Sequence, residues 1–169
     1  MALPEVSRIP EGFHTVTPQL VCRKASEALE FYKNAFGAEI LSVNKDDKQN
    51  VMHAEMKIGD SIVMLSDEFP AFHCLSPLSI GGTSVTLHIY TPDADAVFNK
   101  AVAAGASVTL PIMDAFWGDR YGQVADPYGH RWSIAARQRI PSQAELEAEA
   151  KKAFDAMAKE MAKEKSAGS

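Results

Sequence analysis

Residues 16–40 read VTPQLVCRKASEALEFYKNAFGAEI: an alternating segment, a helical pattern from Ala25 to Phe36, a glycine, and the start of another apolar run. The order recurs later in the chain. Thr15–Val21 aligns with Ser84–Tyr90, both alternating like half-buried strands, with Gln19 matched to His88. A helical pattern follows each, Ala25 to Phe36 and Asp93 to Ala104, and each stops at Gly-Ala, Gly37-Ala38 and Gly105-Ala106. Glycine after a helix suits a left-handed residue, where a Cβ would be strained. Aligned on those glycines, Ala28 meets Ala96, Leu29 meets Val97, and Ile40 meets Val108. The chain is therefore read as an internal duplication.

Strand-like runs continue each copy. The first has Ile40–Val43, Val51–Lys57 and, after the Gly59-Asp60 turn, Ser61–Leu65; the second has Val108–Ile112, Tyr121–Ala125 and, after Asp126-Pro127-Tyr128-Gly129, His130–Ala135. Each copy is thus strand, helix and three strands, spanning 12–68 and 82–137, with loops expected at Ser66–Gly82 and Pro111–Asp119. Asp126-Pro127-Tyr128-Gly129-His130 is read chiefly as a turn. A lone module leaves a sheet face bare, so two must pack together. Beyond Gln138, Ser142 and Glu145 form a capping box opening an amphipathic helix over 142–164, with Leu146, Ala150, Ala153, Phe154, Met157 and Met161 as a thin apolar stripe. That stripe is expected to pack on the parent domain or a sister subunit, with docking of an unrelated partner as the alternative.

Composition narrows the class of function. At 169 residues and 46% hydrophobic, the chain can bury a core without staples. Seventeen basic against 22 acidic residues give a net charge of −5 with no basic block, which argues against nucleic acid and anionic membrane as partners. Cys22 and Cys74 have no metal-ligand spacing and read as buried small hydrophobes of a reducing compartment. No run approaches a membrane span, and the first residues lack an apolar leader, so a cytoplasmic location is expected.

Three stretches, residues 16–40 above, HAEMKIGDSIVMLSDE (53–68) and WGDRYGQVADPYGHRWSIA (117–135), together resemble the vicinal oxygen chelate superfamily of glyoxalases, bleomycin-resistance proteins and dioxygenases. Within it the chain is similar to the PhnB-like branch. The resemblance implies an α+β fold of two βαβββ modules in a U-shaped mixed sheet, helices outside, a ligand cleft within the curve, and a homodimer. Strand alternation places Thr17, Gln19, Thr86 and His88 on one face against Val16, Leu20, Val85, Leu87 and Ile89, and His53 and Glu55 against Met52, Ala54 and Met56. The polar set would line a cleft, or equally face solvent in a flat open sheet.

In enzymes of the superfamily His, Gln or Glu on the first and last strands of each module hold a divalent metal. Carried over by position, Thr17, Thr86 and Ser133 stand there in this sequence, with Ile62–Leu65 in the first module's last strand. Hydroxyls and aliphatic groups do not replace that donor set, so no metal cofactor is expected. A displaced site drawing on Gln19, His88, His53 and Glu55 is the alternative, and His53 with Glu55 also reads as a cross-strand structural pair. Trp117 and Arg120 offer an aromatic face and a forked cation at the cleft mouth, or else Trp117 caps the core and Arg120 pairs with Asp119 or Asp126. The loop Phe69–Leu75 fills a gap between modules or covers a ligand, and His14, His73 and His130 are read as solvated.

These residues yield two main functional readings. One is a metal-independent binder of an aromatic or anionic small molecule; the other is a lyase, isomerase or dioxygenase using a displaced metal, with Glu55 moving a proton. No catalytic residue is assigned. Branch members are often labelled demethylubiquinone methyltransferases, yet no Gly-rich strand-to-helix turn of a nucleotide-type cofactor is present.

Overall fold

The computed structural model describes residues 7–167. The first half runs β1 (Gln19–Cys22), α1 (Ala25–Phe36), β2 (Glu39–Lys45), β3 (Val51–Ile58) and β4 (Ser61–Asp67). A one-turn helix α2 (Pro77–Ile80) leads to β5 (Thr86–Tyr90), α3 (Ala94–Ala103), β6 (Ser107–Asp114), β7 (Asp119–Ala125) and β8 (Arg131–Arg137). Helix α4 (Gln143–Ala167) ends the described chain. The α+β fold and both βαβββ modules are as expected. The eight strands hydrogen-bond as two four-stranded sheets, ordered β1-β4-β3-β2 and β5-β8-β7-β6. In both, the first strand runs parallel to the last and the other pairs are antiparallel, so the duplication read from the sequence holds strand for strand. Gly37 caps α1 at φ 67° and Gly105 follows α3 at φ 114°, the conformation the repeat required.

Several boundaries differ from those expected, each for a local reason. The first strand begins at Gln19 rather than Thr15, since Pro18 has no N–H and enters the ladder only through its carbonyl, which accepts from Met64 N. The matching strand begins at Thr86 rather than Ser84 because the N–H of Val85 donates to Thr83 Oγ1 in a side-chain turn. Strand β6 runs through the supposed loop at Pro111 as far as Asp114. It lies at a sheet edge, and its register is irregular between Leu110 and Met113, where a proline is tolerated.

Each sheet buries one face beneath its own helix, and α1 and α3 pack against each other in one shared core. Aromatic rings form the seam. Trp132 of β8 lies 5.5 Å from Tyr32 and 4.6 Å from Phe36 of α1, and Phe31 meets Tyr128 edge-on at 6.0 Å. Side chains, not strand pairing, thus join the modules.

A buried polar cluster locks the seam. The Asp126 carboxyl accepts from Tyr32 Oη and Trp132 Nε1, both at 2.8 Å, and from the N–H groups of Tyr128 and His130, both at 2.9 Å. The Asp-Pro-Tyr-Gly turn therefore also grips the opposite module. His130 is buried and not solvated, because its Nε2 reaches Val21 O at 3.2 Å and the Cys22 thiol at 3.7 Å. Burial pushes the Cys22 thiol up to about 12, which leaves it unreactive. Cys74 is only half-buried, contrary to expectation, because the loop that carries it lies at the surface.

The intermodule loop neither lines the main cavity nor is fully packed, as Phe72 is 80% exposed. It is held by Glu68, which accepts from the Ser76 and Ser79 hydroxyls, Ser76 N and Arg23 Nε. These bonds, the hydroxyls foremost, hold the Glu68 carboxyl at about 2. In α4 the capping box forms as expected, Ser142 N donating to Glu145 at 2.7 Å. Leu146, Ala150 and Ala153 are half-buried and Phe154 is exposed, whereas the side chains of Met157 and Met161 lie outside the described residues.

Replacing Asp126 with Ala should orphan buried donors on both modules and cost about 3–5 kcal/mol in urea unfolding, while Tyr32→Phe, which removes one donor, should cost about 1 kcal/mol. A depressed carboxyl stabilises above its unfolded range and loses that effect as pH falls towards the folded value. Protease cleavage within 69–76 should therefore accelerate between about pH 4.5 and 2 in the wild type, and that pH dependence should flatten in Glu68→Gln.

Candidate functional site

Each sheet leaves one face free of helices, and the two free faces carry different chemistry. Across the first, Gln19, Met64, Glu55 and Ser42 form a row; the equivalent row across the second is His88, Ser133, Gln123 and Leu110. The neighbouring row of the second sheet is Tyr90, Ala135, Tyr121 and Met113. Aromatic rings thus gather on the second sheet. His88 lies 4.5 Å from Tyr90 and is stacked on Tyr121 at 6.1 Å, and Trp117 meets Tyr121 edge-on at 5.1 Å.

Hydrogen bonds fix these rings. Tyr90 Oη and Trp117 Nε1 both donate to Asp119 Oδ2, at 3.2 and 3.1 Å, and Asp119 is only 3% exposed. Gln123 Nε2 donates to Tyr121 Oη at 2.6 Å. Trp117 owes its place to Gly118: at φ 99°, a Cβ there would lie 2.3 Å from Arg139 O. That close approach lets Gly118 O accept from the N–H groups of Gln138 and Arg139.

His88 Nδ1 lies 2.7 Å from Ser133 Oγ. Ser133 is 2% exposed, and its hydroxyl bonds no other group among the described residues. A buried hydroxyl proton without an acceptor costs roughly 1–3 kcal/mol, so Ser133 donates and Nδ1 accepts. The proton of neutral His88 then sits on Nε2. Burial lowers the His88 pKa below its ordinary value, partly opposed by Asp119, so the imidazole is neutral near pH 7.

A cavity of about 990 Å³ follows the edge of β5 and is lined by Thr17, Thr86, His88, Tyr90, Phe36 and Trp132 among others. A smaller one of about 310 Å³ lies beyond Tyr90, bounded by Trp117, Asp119, Arg137, Arg139 and the start of α4. Tyr90 borders both.

Of the residues singled out in the sequence, Thr17, Thr86 and His88 line the large cavity, Ser133 sits behind His88, and Trp117 lines the small one. Gln19, His53 and Glu55 lie on the other sheet and line neither. His53 and Glu55 pair with each other at 3.3 Å along one strand rather than across strands. Arg120 pairs with neither Asp119 nor Asp126: Asp95 takes it in a fork at 2.8 Å and Asp114 adds a third bond at 3.2 Å. Tyr90, Tyr121, Asp119 and Arg137 are additions. All four follow the alternation of β5, β7 and β8, and emerge once β7 is begun at Asp119 and β8 continued to Arg137.

Residues 12–134 match the family described as Glyoxalase/Bleomycin resistance protein/Dioxygenase superfamily. The chain belongs to that superfamily. An uncharacterised protein of Mycobacterium tuberculosis H37Rv is 40% identical over 136 residues, 79% of this chain and 80% of that one. The superfamily fold is matched by an Arabidopsis thaliana gene product with 28% identity and a TM-score of 0.59, covering 75% of this chain and 99% of that one. It is also matched by a PhnB protein from Bacillus cereus, described as a putative 3-demethylubiquinone-9 3-methyltransferase, with 22% identity and a TM-score of 0.56 over 75% and 100%.

A metal implied by the superfamily does not fit these donors. Ser133 is paired in register with His88, not Thr86, which stands opposite Arg131, and Gln19 stands opposite Met64. At these paired positions the first and last strands therefore present one amide, one thioether, one hydroxyl and one imidazole, with no carboxylate. No three His, Cys, Asp or Glu side chains gather to hold an ion among the described residues. In the alternative set, Gln19 and Glu55 stand two strands apart, about 9–10 Å.

The imidazole assignment is open to ¹⁵N NMR. His88 should show the Nε2–H tautomer, protonating only below its ordinary value near pH 6.5, and Ser133→Ala should return it to a mixture of tautomers.

Proposed function

We propose that this superfamily member binds a planar small molecule bearing a hydrogen-bond acceptor, without a metal, on the free face of the second sheet. The observation that carries the reading is the His88–Ser133 pair. With Nδ1 engaged by Ser133, His88 keeps its Nε2–H donor beside the Tyr90 and Tyr121 rings, and His88 and Tyr90 line a cavity large enough for a drug-sized ligand. A ring stacked there buries apolar area, while a carbonyl oxygen takes the imidazole proton. The aromatic side chains are held by hydrogen bonds before a ligand arrives, which keeps the ordering cost of binding low. A displaced metal enzyme finds less support, since Gln19, His53 and Glu55 lie on the other sheet, away from the cavity.

A second copy of the chain is the proposed partner. Strands β1 and β5 lie at sheet edges, and the cavity follows the edge of β5, so a partner strand there would help to enclose it. A cytoplasmic site of action fits the free thiols.

Titration calorimetry with 2-acetylnaphthalene and naphthalene tests the reading. His88→Ala should weaken the ketone about tenfold and the hydrocarbon little, the loss expected for one hydrogen bond. Exhaustive chelation should leave both affinities unchanged. Binding abolished by chelation and restored by a divalent ion, or a ketone indifferent to His88, would reject it.

A further inference from the structure

We infer that the smaller cavity is an anion subsite, so that the preferred ligand is a planar acceptor-bearing molecule with a carboxylate or comparable anionic group at its far end. This rests on the binding reading above and adds the ligand's charge and the residues that meet it. The sequence offered Arg120 as the cation, but its guanidinium is already occupied by Asp95 and Asp114. Arg137 and Arg139 are differently placed. Both line the small cavity, and their nearest carboxylates, Asp119 and Glu145 respectively, stand 3.9 Å away, beyond hydrogen-bond reach.

The local acids make their hydrogen bonds elsewhere and meet the arginines only as long 3.9 Å ion pairs through their other oxygens. Asp119 accepts from Tyr90 and Trp117 through Oδ2, and Glu145 closes the capping box through Oε2, taking the N–H and hydroxyl of Ser142. Arg139 makes one further contact, a marginal 3.5 Å bond to Phe116 O. Most guanidinium donors of the pair are therefore free to bind an anion with bidentate geometry.

Position links this subsite to the ring site. Tyr90 borders both cavities, with His88 on one side at 4.5 Å and the Arg137 guanidinium over its ring at 6.0 Å. A rigid molecule lying along Tyr90 would offer its carbonyl to His88 and its anionic end to the arginines. The backbone bonds from Gln138 and Arg139 to Gly118 hold that end of β8 against the Trp117 turn, fixing the arginines' origin.

The test compares 6-acetyl-2-naphthoate with uncharged 2-acetylnaphthalene by calorimetry on the full chain. The wild type should bind the carboxylate about tenfold more tightly, the gain expected of one charge-assisted pairing, and high salt should erode that preference. The R137Q/R139Q double variant should weaken the carboxylate about tenfold more than the ketone, and Arg120→Gln should change neither. Equal affinities in the wild type, or equal losses in the double variant, would overturn the anion subsite while leaving ring binding intact. Failure of the wild type to bind either compound would overturn ring binding and the subsite together.

Discussion

The buried Asp126 carboxyl is the constraint on which the arrangement of the two modules depends. Each βαβββ unit covers one sheet face with a single helix, too little to close a core, and no strand pairing joins the two sheets among the described residues. What remains is the aromatic seam of Tyr32, Phe36 and Trp132, and aromatic packing alone tolerates sliding. Asp126 removes that freedom, since Tyr32 comes from one module, Trp132 from the other, and the carboxyl receives both while closing its own turn. The bond of His130 to Val21 O adds a second fixed point, on β1. The wall between Phe36 and Trp132, and with it the large cavity, inherits its shape from that lock.

Much of the fold was legible in the sequence because duplication doubles every signal. The helix over Ala25–Phe36 and the paired Gly-Ala stops followed from periodicity and backbone stereochemistry, which act locally. Strand starts were less legible, because proline at 18 and the Thr83 side chain remove backbone groups from the ladder before the apolar alternation ends. The role of Asp126 was hidden: nothing near Asp-Pro-Tyr-Gly announces that its carboxyl receives a tyrosine ninety-four positions earlier.

The candidate site was partly legible for the same reason. Alternation set His88 opposite Leu87 and Ile89, and burial along β5 alternates in the same way. It could not say which cation is free. Arg120 and Arg137 both lie on second-module strands, yet a helix residue, Asp95, captures the former, and that choice depends on how α3 packs. Register had the same effect on the donor set: two residues along β5 decide whether Ser133 faces a threonine or a histidine.

Divergence of the two copies gives the molecule its direction. Corresponding rows hold Gln19, Met64 and Glu55 in one sheet and His88, Ser133 and Gln123 in the other, so a symmetric scaffold presents an asymmetric pair of surfaces. The first row offers a flexible thioether and groups suited to water; the second offers a histidine whose tautomer is set by a buried hydroxyl, among rings tied to Asp119 and Gln123. Rigid groups bind rigid partners with the smaller entropic penalty, whereas a mobile row adapts to many shapes and holds each weakly. On the proposed binding function, selectivity for ligand shape would therefore reside in the second module. The first can vary in side chain without disturbing it, provided Tyr32 still reaches Asp126 across the seam.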